Sequence, residues 1–282
     1  MVKIADAQNT LYKEDTVWEV NDRYGQACAV RIKTPEGVDT NFSMVYGKDE
    51  ESKLWIPVRP VSDRFTPIGT GEIIDKVVDR LGGQSKIYSE RVRLGRGGVT
   101  QQVELVLDEG AVKIGDTVED KDSPLIANGV IKKNGDVWRP QVRVRNALDG
   151  TQAISVTAGW YRLVCSNGMT VEAWNGATAR TIKIHTIHQV VKALDEIEHF
   201  DFNVKEFQAM MKKLRAKTIT KTELGKIRKS LPKNYQVGFD EIPEQTAYGV
   251  ISYITYLQSH HLSMNRESRV QGIVDNMLRK VA

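Results

Sequence analysis

Two adjacent stretches of strict side-chain alternation constrain the fold of this chain more than anything else in it. In Trp138-Arg139-Pro140-Gln141-Val142-Arg143-Val144-Arg145 the polar residues hold the odd positions and the apolar ones the even positions. A period of two is the signature of a β-strand. After Asn146 to Gly150, which carries the turn signal Asp149-Gly150, a second run alternates Ile154, Val156 and Ala158 with Ala153, Ser155 and Thr157, and it continues to a turn signal at Asn167-Gly168. Two such runs joined by a short turn are expected to pair as a hairpin. Its first strand then has one apolar face and one basic face, the latter built from Arg139, Gln141, Arg143 and Arg145.

The rest of the chain arranges itself around this hairpin. Short extended patterns at 16–20, 26–33, 41–46 and 54–58, separated by Pro35-Glu36-Gly37 and by Gly47 to Glu51, predict a β-rich N-terminal region over residues 1–60. Ile73, Ile74, Val77, Val78 and Leu81 recur at helical spacing and end at Gly82-Gly83, so a helix is expected over 70–81, packed on a sheet. Strands are expected again from Gln84 to Leu94 and from Val99 to Leu107, reversing through Gly95-Arg96-Gly97-Gly98. That reversal lacks the lysine and hydroxyl residue of a phosphate-binding P-loop, so a flexible hairpin tip is the simpler expectation. Residues 108–136 are polar and broken by glycines, and read as a solvated excursion.

From Thr181 the periodicity changes to that of helices, with apolar faces at Ile184 to Ile197, Val204 to Leu214, Ala247 to Leu257 and Val270 to Leu278. The expected class is α+β: a mainly antiparallel, curved sheet with packed helices over 61–180, followed by an all-helical region over 181–282.

Composition excludes several function classes. With 40% hydrophobic and 27% charged residues in 282, the chain has the balance of a soluble globular protein. Met1 to Thr16 turns polar too early for a secretory leader, and no apolar run approaches the roughly 20 residues that span a bilayer, so a cytoplasmic location without membrane contact is expected. Cys28 and Cys165 match no metal spacing and are expected to be free thiols. His185 and His188 stand three apart on a predicted helix, but no third ligand is suggested. No hydrolase, phosphoryl-transfer or redox motif occurs, so no catalytic residue, metal or cofactor is assigned.

Charge points elsewhere. The net charge of +4 is modest, but it is polarised: between Lys205 and Lys233 ten basic residues face only Glu206 and Glu223. Arg91 and Arg93 add a second two-residue repeat beside the hairpin arginines, and Trp160, Tyr161 and Arg162 supply aromatic groups near a cation on the next strand. A positive groove with aromatic platforms is how single-stranded nucleic acid is held, because phosphates need counter-charge and unpaired bases need a stacking partner.

At Asn146, Asp149 and Gly150, followed by Arg162, Val164, Cys165, Asn167 and Gly168, the chain resembles the phage/plasmid-like protein family catalogued as domain of unknown function 932. Thr255, His260 and Arg266 fit the same pattern. The order helix, antiparallel sheet, helix is similar, more remotely, to that of single-strand annealing recombinases, which assemble as rings or filaments. The resemblance implies sequence-independent binding of single-stranded nucleic acid, DNA before RNA, and strand annealing by a homo-oligomer in phage or plasmid recombination. Candidate contacts are Arg91, Arg93, Arg96, Arg139, Arg143, Arg145, Trp160 and Arg162 on the sheet, with Lys212, Lys213, Arg215, Arg228 and Lys229 on the helices. The alternative is a non-enzymatic interaction or host-defence-modulating protein of a mobile element that docks through its apolar helical region.

Overall fold

A computed structural model describes residues 15–114, 136–162, 169–172, 204–236, 242, 245–261, 273–274 and 277. Four strands open the chain: β1 (Thr16–Asp22), β2 (Gly25–Lys33), β3 (Asp39–Lys48) and β4 (Trp55–Ser62), an antiparallel sheet in sequence order. β4 lies at an edge and carries Pro57 and Pro60, where a missing N–H costs no ladder bond and discourages pairing with other chains.

Helix α1 (Thr70–Arg80) follows. Its N-cap residue, Gly69, has no side chain to offer. Asp22, at the β1–β2 turn, serves instead: its Oδ2 accepts from Gly71 N at 2.8 Å while its Oδ1 accepts from Tyr24 N at 2.8 Å. One carboxylate thus ties the first sheet to the helix start, where negative charge is favoured.

The second sheet runs β10-β9-β8-β6-β5, with β7 paired to β8 off that path. Its strands are β5 (Ile87–Gly95), β6 (Thr100–Leu107), β7 (Val112–Ile114), β8 (Asp136–Ala147), β9 (Ser155–Arg162) and β10 (Met169–Glu172). The expected hairpin is present, for β8 and β9 are neighbours. Four details differ from expectation, the first being strand β7 inside the stretch read as a solvated excursion. Gln84–Lys86 is a 3-10 turn, so β5 starts later than the pattern suggested. A further strand, β10, which the alternation did not predict, pairs antiparallel with β9 from Met169↔Arg162 to Glu172↔Gly159. The reversal at Arg96 to Gly98 is packed rather than free: a Cβ on Gly47 would collide with the Gly97 carbonyl and Val99, and Gly97 and Gly98 hold φ of 62° and 83°. Glycine is needed there for close backbone approach and for a left-handed conformation together.

The described helices after β10 are α2 (Val204–Ala216), α3 (Lys221–Ser230), the short α4 (Lys233–Gln236) and α5 (Ala247–His261). α3 begins with a reciprocal cap: Thr220 Oγ1 accepts from Glu223 N at 3.3 Å, and Glu223 Oε2 accepts from Thr220 N at 2.9 Å. Strands and helices follow one another in separate blocks, so the class is α+β. Among the described residues no helix is long and apolar enough to cross a membrane.

The described residues fall into two compact units. The first holds the chain to Leu105 with Val142–Thr157, and the second holds the described parts of Val106–Gln141, Ala158–Arg180 and Asp201–Ala282. In the first, Ile73, Ile74, Val77 and Val78 of α1 meet Val103, Leu105, Val142, Val144, Ile154 and Val156 of the sheet, and a smaller cluster joins Trp18, Ala27, Ala29 and Val45 to Val99 and Leu148. The core of the second is Trp138, Trp160, Phe207, Met210, Met211 and Leu214 with Tyr248, Val250, Ile251 and Ile254.

Candidate functional site

The parity read from β8 holds. Val142 and Val144 enter the core beneath α1, which turns Arg143 and Arg145 to the other side of the sheet. That side is not an open basic face. Gln102, Glu104, Gln141 and Arg143 are all buried, Arg143 being only 2% exposed. A buried guanidinium needs a counter-charge, and Glu104 supplies it at 3.1 Å from Arg143 Nη2. Gln102 Nε2 donates to the same Glu104 Oε1 at 2.8 Å, and Arg145 Nε donates to Gln102 Oε1 at 2.9 Å. Arg145, Gln102, Glu104 and Arg143 therefore form a chain of polar contacts between β6 and β8.

Arg91 and Arg93 on β5 belong to the same electrostatic cluster. Burial pushes the Glu104 carboxyl up, but the positive charges of Arg143, Arg93 and Arg91 outweigh it and hold the group below the usual carboxylate range. The structure thus brings Arg91, Arg93, Arg143 and Arg145 together around a carboxylate that the sequence pattern did not single out. The available signal was its position, flanked by Val103 and Leu105 as the one charged residue of its strand.

The other sheet candidates are separate. Arg139 Nη1 donates to Asp108 O at 2.7 Å and to Asp108 Oδ1 at 3.2 Å. Arg96 sits at the β5–β6 reversal, half exposed, and reaches the fully buried Asp149 Oδ2 at 3.4 Å. Trp160 is 1% exposed and stacks on Phe207 at 4.1 Å between ring centroids, with Trp138 edge-on to the same Phe207 at 5.5 Å. It is a core residue, because its strand carries it into the apolar cluster of the second unit, and it offers no platform to a base. The side chain of Arg162 lies outside the described residues, as do Cys165, Asn167, Gly168, His185 and His188.

The helical cations fare differently. Phe207, Met210, Met211 and Leu214 occupy the buried stripe of α2, which sends Lys212 and Lys213 into solvent. Lys226 and Lys229 are likewise exposed on α3, where Leu224 is the buried residue. Arg215 and Arg228 are half-buried, Arg215 lying 5.8 Å from the centroid of the Tyr248 ring. Glu223, the acid in this surface whose side chain is described, is committed to the α3 cap.

Among the described residues no three His, Cys, Asp or Glu side chains gather as metal ligands. Cys28 is buried, and burial followed by the nearby Glu19 pushes its thiol up to about 12, which keeps it protonated and unreactive at neutral pH.

Fold and site together define an α+β protein with an inward-facing arginine cluster on one sheet and an outward-facing basic surface on two helices. The model of a family described as Domain of unknown function (DUF932) matches residues 58–244 of the 282, more than half of the chain, and the protein belongs to that family. No curated protein and no solved structure matches it.

Proposed function

We propose that this protein binds single-stranded nucleic acid, DNA in preference to RNA, without reading its sequence, and that it anneals complementary strands as a homo-oligomer in the recombination of a mobile element. The observation that supports this best is the exposed cation set Lys212, Lys213, Lys226 and Lys229, whose helices bury their apolar stripes in the protein's own core. Such a surface neutralises phosphates while leaving base edges free to pair. Arg96, half exposed, is a further candidate contact, as are the partly exposed Arg91 and Arg93. Arg143 and Trp160 leave the contact set because both are buried. The link to phages and plasmids comes from the motif at Asn146, Asp149 and Gly150.

Fluorescence anisotropy with oligo-dT over a salt series tests the proposal. If about five phosphates are neutralised, log K falls against log salt with a slope of about −3.5. Charge reversal at Lys212→Glu with Lys213→Glu should weaken binding at least about tenfold and flatten that slope. Absent or salt-insensitive binding would refute it.

A second reading is an interaction protein of a mobile element. Phe207, Met210, Met211 and Leu214 of α2 and Tyr248, Val250, Ile251 and Ile254 of α5 lie in the core, so these residues offer no docking surface. Exposed apolar side chains occur instead on the first sheet and its β2–β3 turn, where Val38 is 63%, Phe42 55% and Ile56 40% exposed. Co-purification of a stoichiometric partner, lost on Phe42→Ser with Ile56→Ser, would favour this reading over strand binding.

A further inference from the structure

An open cleft of about 510 Å³ lies within the first unit, between the segment leading into α1 and the β8–β9 turn. One wall is Arg64, Phe65, Pro67 and Ile68; the other is Asn146, Ala147, Gln152, Ala153 and Ile154. Both walls are held in place. Asn146 Nδ2 donates across to Ile68 O at 2.8 Å and to Thr70 Oγ1 at 2.9 Å. Asp149 Oδ1 accepts from Thr151 N at 3.1 Å and Thr151 Oγ1 at 2.6 Å, and Leu148 N donates to Val99 O at 2.9 Å. Gly150 holds φ of +70°, and a Cβ there would lie 3.0 Å from the Phe65 ring. The family-like residues Asn146, Asp149 and Gly150 are therefore the ones that build the cleft.

Its chemistry is specific. Phe65, Pro67, Ile68, Ala147, Ala153 and Ile154 make an apolar slot. The described lining contains no carboxylate, and the exposed guanidinium of Arg64 has no acidic partner among the described residues. With both amide hydrogens of Asn146 committed, its Oδ1 and the exposed amide of Gln152 are left for a ligand. Carboxamides complement the donor and acceptor edges of a nucleobase, a guanidinium suits phosphate, and the volume is that of a small-molecule site.

We propose that this cleft binds a nucleoside monophosphate unit, its base between the Phe65–Ile68 and Ala147–Ile154 walls and its phosphate on Arg64. The unit can be a free mononucleotide or one residue of a strand. The cleft shares no residue with the lysines of α2 and α3, so this site and the strand-binding surface can fail separately.

Calorimetric titration of the full chain with dTMP and, separately, with inorganic phosphate tests it. Saturable dTMP binding is expected, with phosphate alone at least about tenfold weaker because the base contributes apolar burial. Arg64→Glu, at an exposed position, should weaken dTMP at least about tenfold with the melting temperature unchanged, and Ala153→Trp should abolish it by filling the slot. No saturation up to about 10 mM dTMP, phosphate binding as tightly as dTMP, or an unchanged affinity in Arg64→Glu would overturn the proposal; the Arg64 variant keeps the test decisive should Ala153→Trp not fold. Oligo-dT affinity in the Ala153 variant then assigns the source: a loss identifies a residue of the strand, no change a free nucleotide, and the site stands in both cases.

Discussion

Arg143 on β8 and Lys212 on α2 are cations singled out by the same electrostatic reasoning, and the fold treats them in opposite ways. Arg143 is 2% exposed and spends its charge on Glu104. Lys212 stands in solvent on the far side of a helix whose other face is core. A sheet has two faces and both can be covered, whereas a helix packed on one side keeps its opposite side wet. Basic residues at a period of two are therefore weaker evidence of a binding surface than basic residues opposite an apolar helical stripe.

Substitutions can break or sharpen that contrast. The largest effect is expected at the buried pair: Arg143→Ala leaves Glu104 inside the protein with less counter-charge and should cost about 3–5 kcal/mol, seen as a lower denaturation midpoint in urea. The double variant Arg143→Met with Glu104→Gln should recover much of that loss, since replacing a whole buried pair is often close to neutral. Nearly as large is Trp160→Ala, about 3–5 kcal/mol for a buried indole, measured in the same way. A stability loss below about 1 kcal/mol at either site would mean that it is not the core residue described.

Acid titration sharpens the same comparison. Because the folded Glu104 carboxyl lies below its ordinary 4.5, its contribution is fully present above that pH and is lost as pH falls through the lower folded value. Glu104→Gln should therefore be less stable at neutral pH and should lack this part of the acid-induced loss, which thermal melts between pH 7 and pH 3 would show. Smaller again is Thr220→Ala, which removes the α3 cap and should cost about 1 kcal/mol. Least of all, Lys212→Ala should change stability by no more than about 0.5 kcal/mol while lowering the proposed affinity for oligo-dT.

Much of the architecture was legible before the fold was known. The four N-terminal strands, the helix ending at Gly82-Gly83 and the β8–β9 hairpin follow from local period and turn residues, which act over a few positions. Strand β10 was not legible, since four residues carry too little periodicity to be told from a loop. The β5–β6 reversal was misjudged as flexible, because the contact that requires its glycines comes from Gly47, some fifty residues away in the chain. Of the candidate site, the helical lysines were readable from amphipathicity. Glu104 was not, for its sign matched the acidic residues after it while its surroundings did not.

The chain by itself determined the order of strands and helices, the inward and outward parity of β8, and membership of its family, all properties of neighbouring residues. The tertiary structure alone decided which charges meet water. Burial depends on what packs over a face, and the partners of Arg143 and Trp160, Glu104 and Phe207, lie 39 and 47 positions away along the chain.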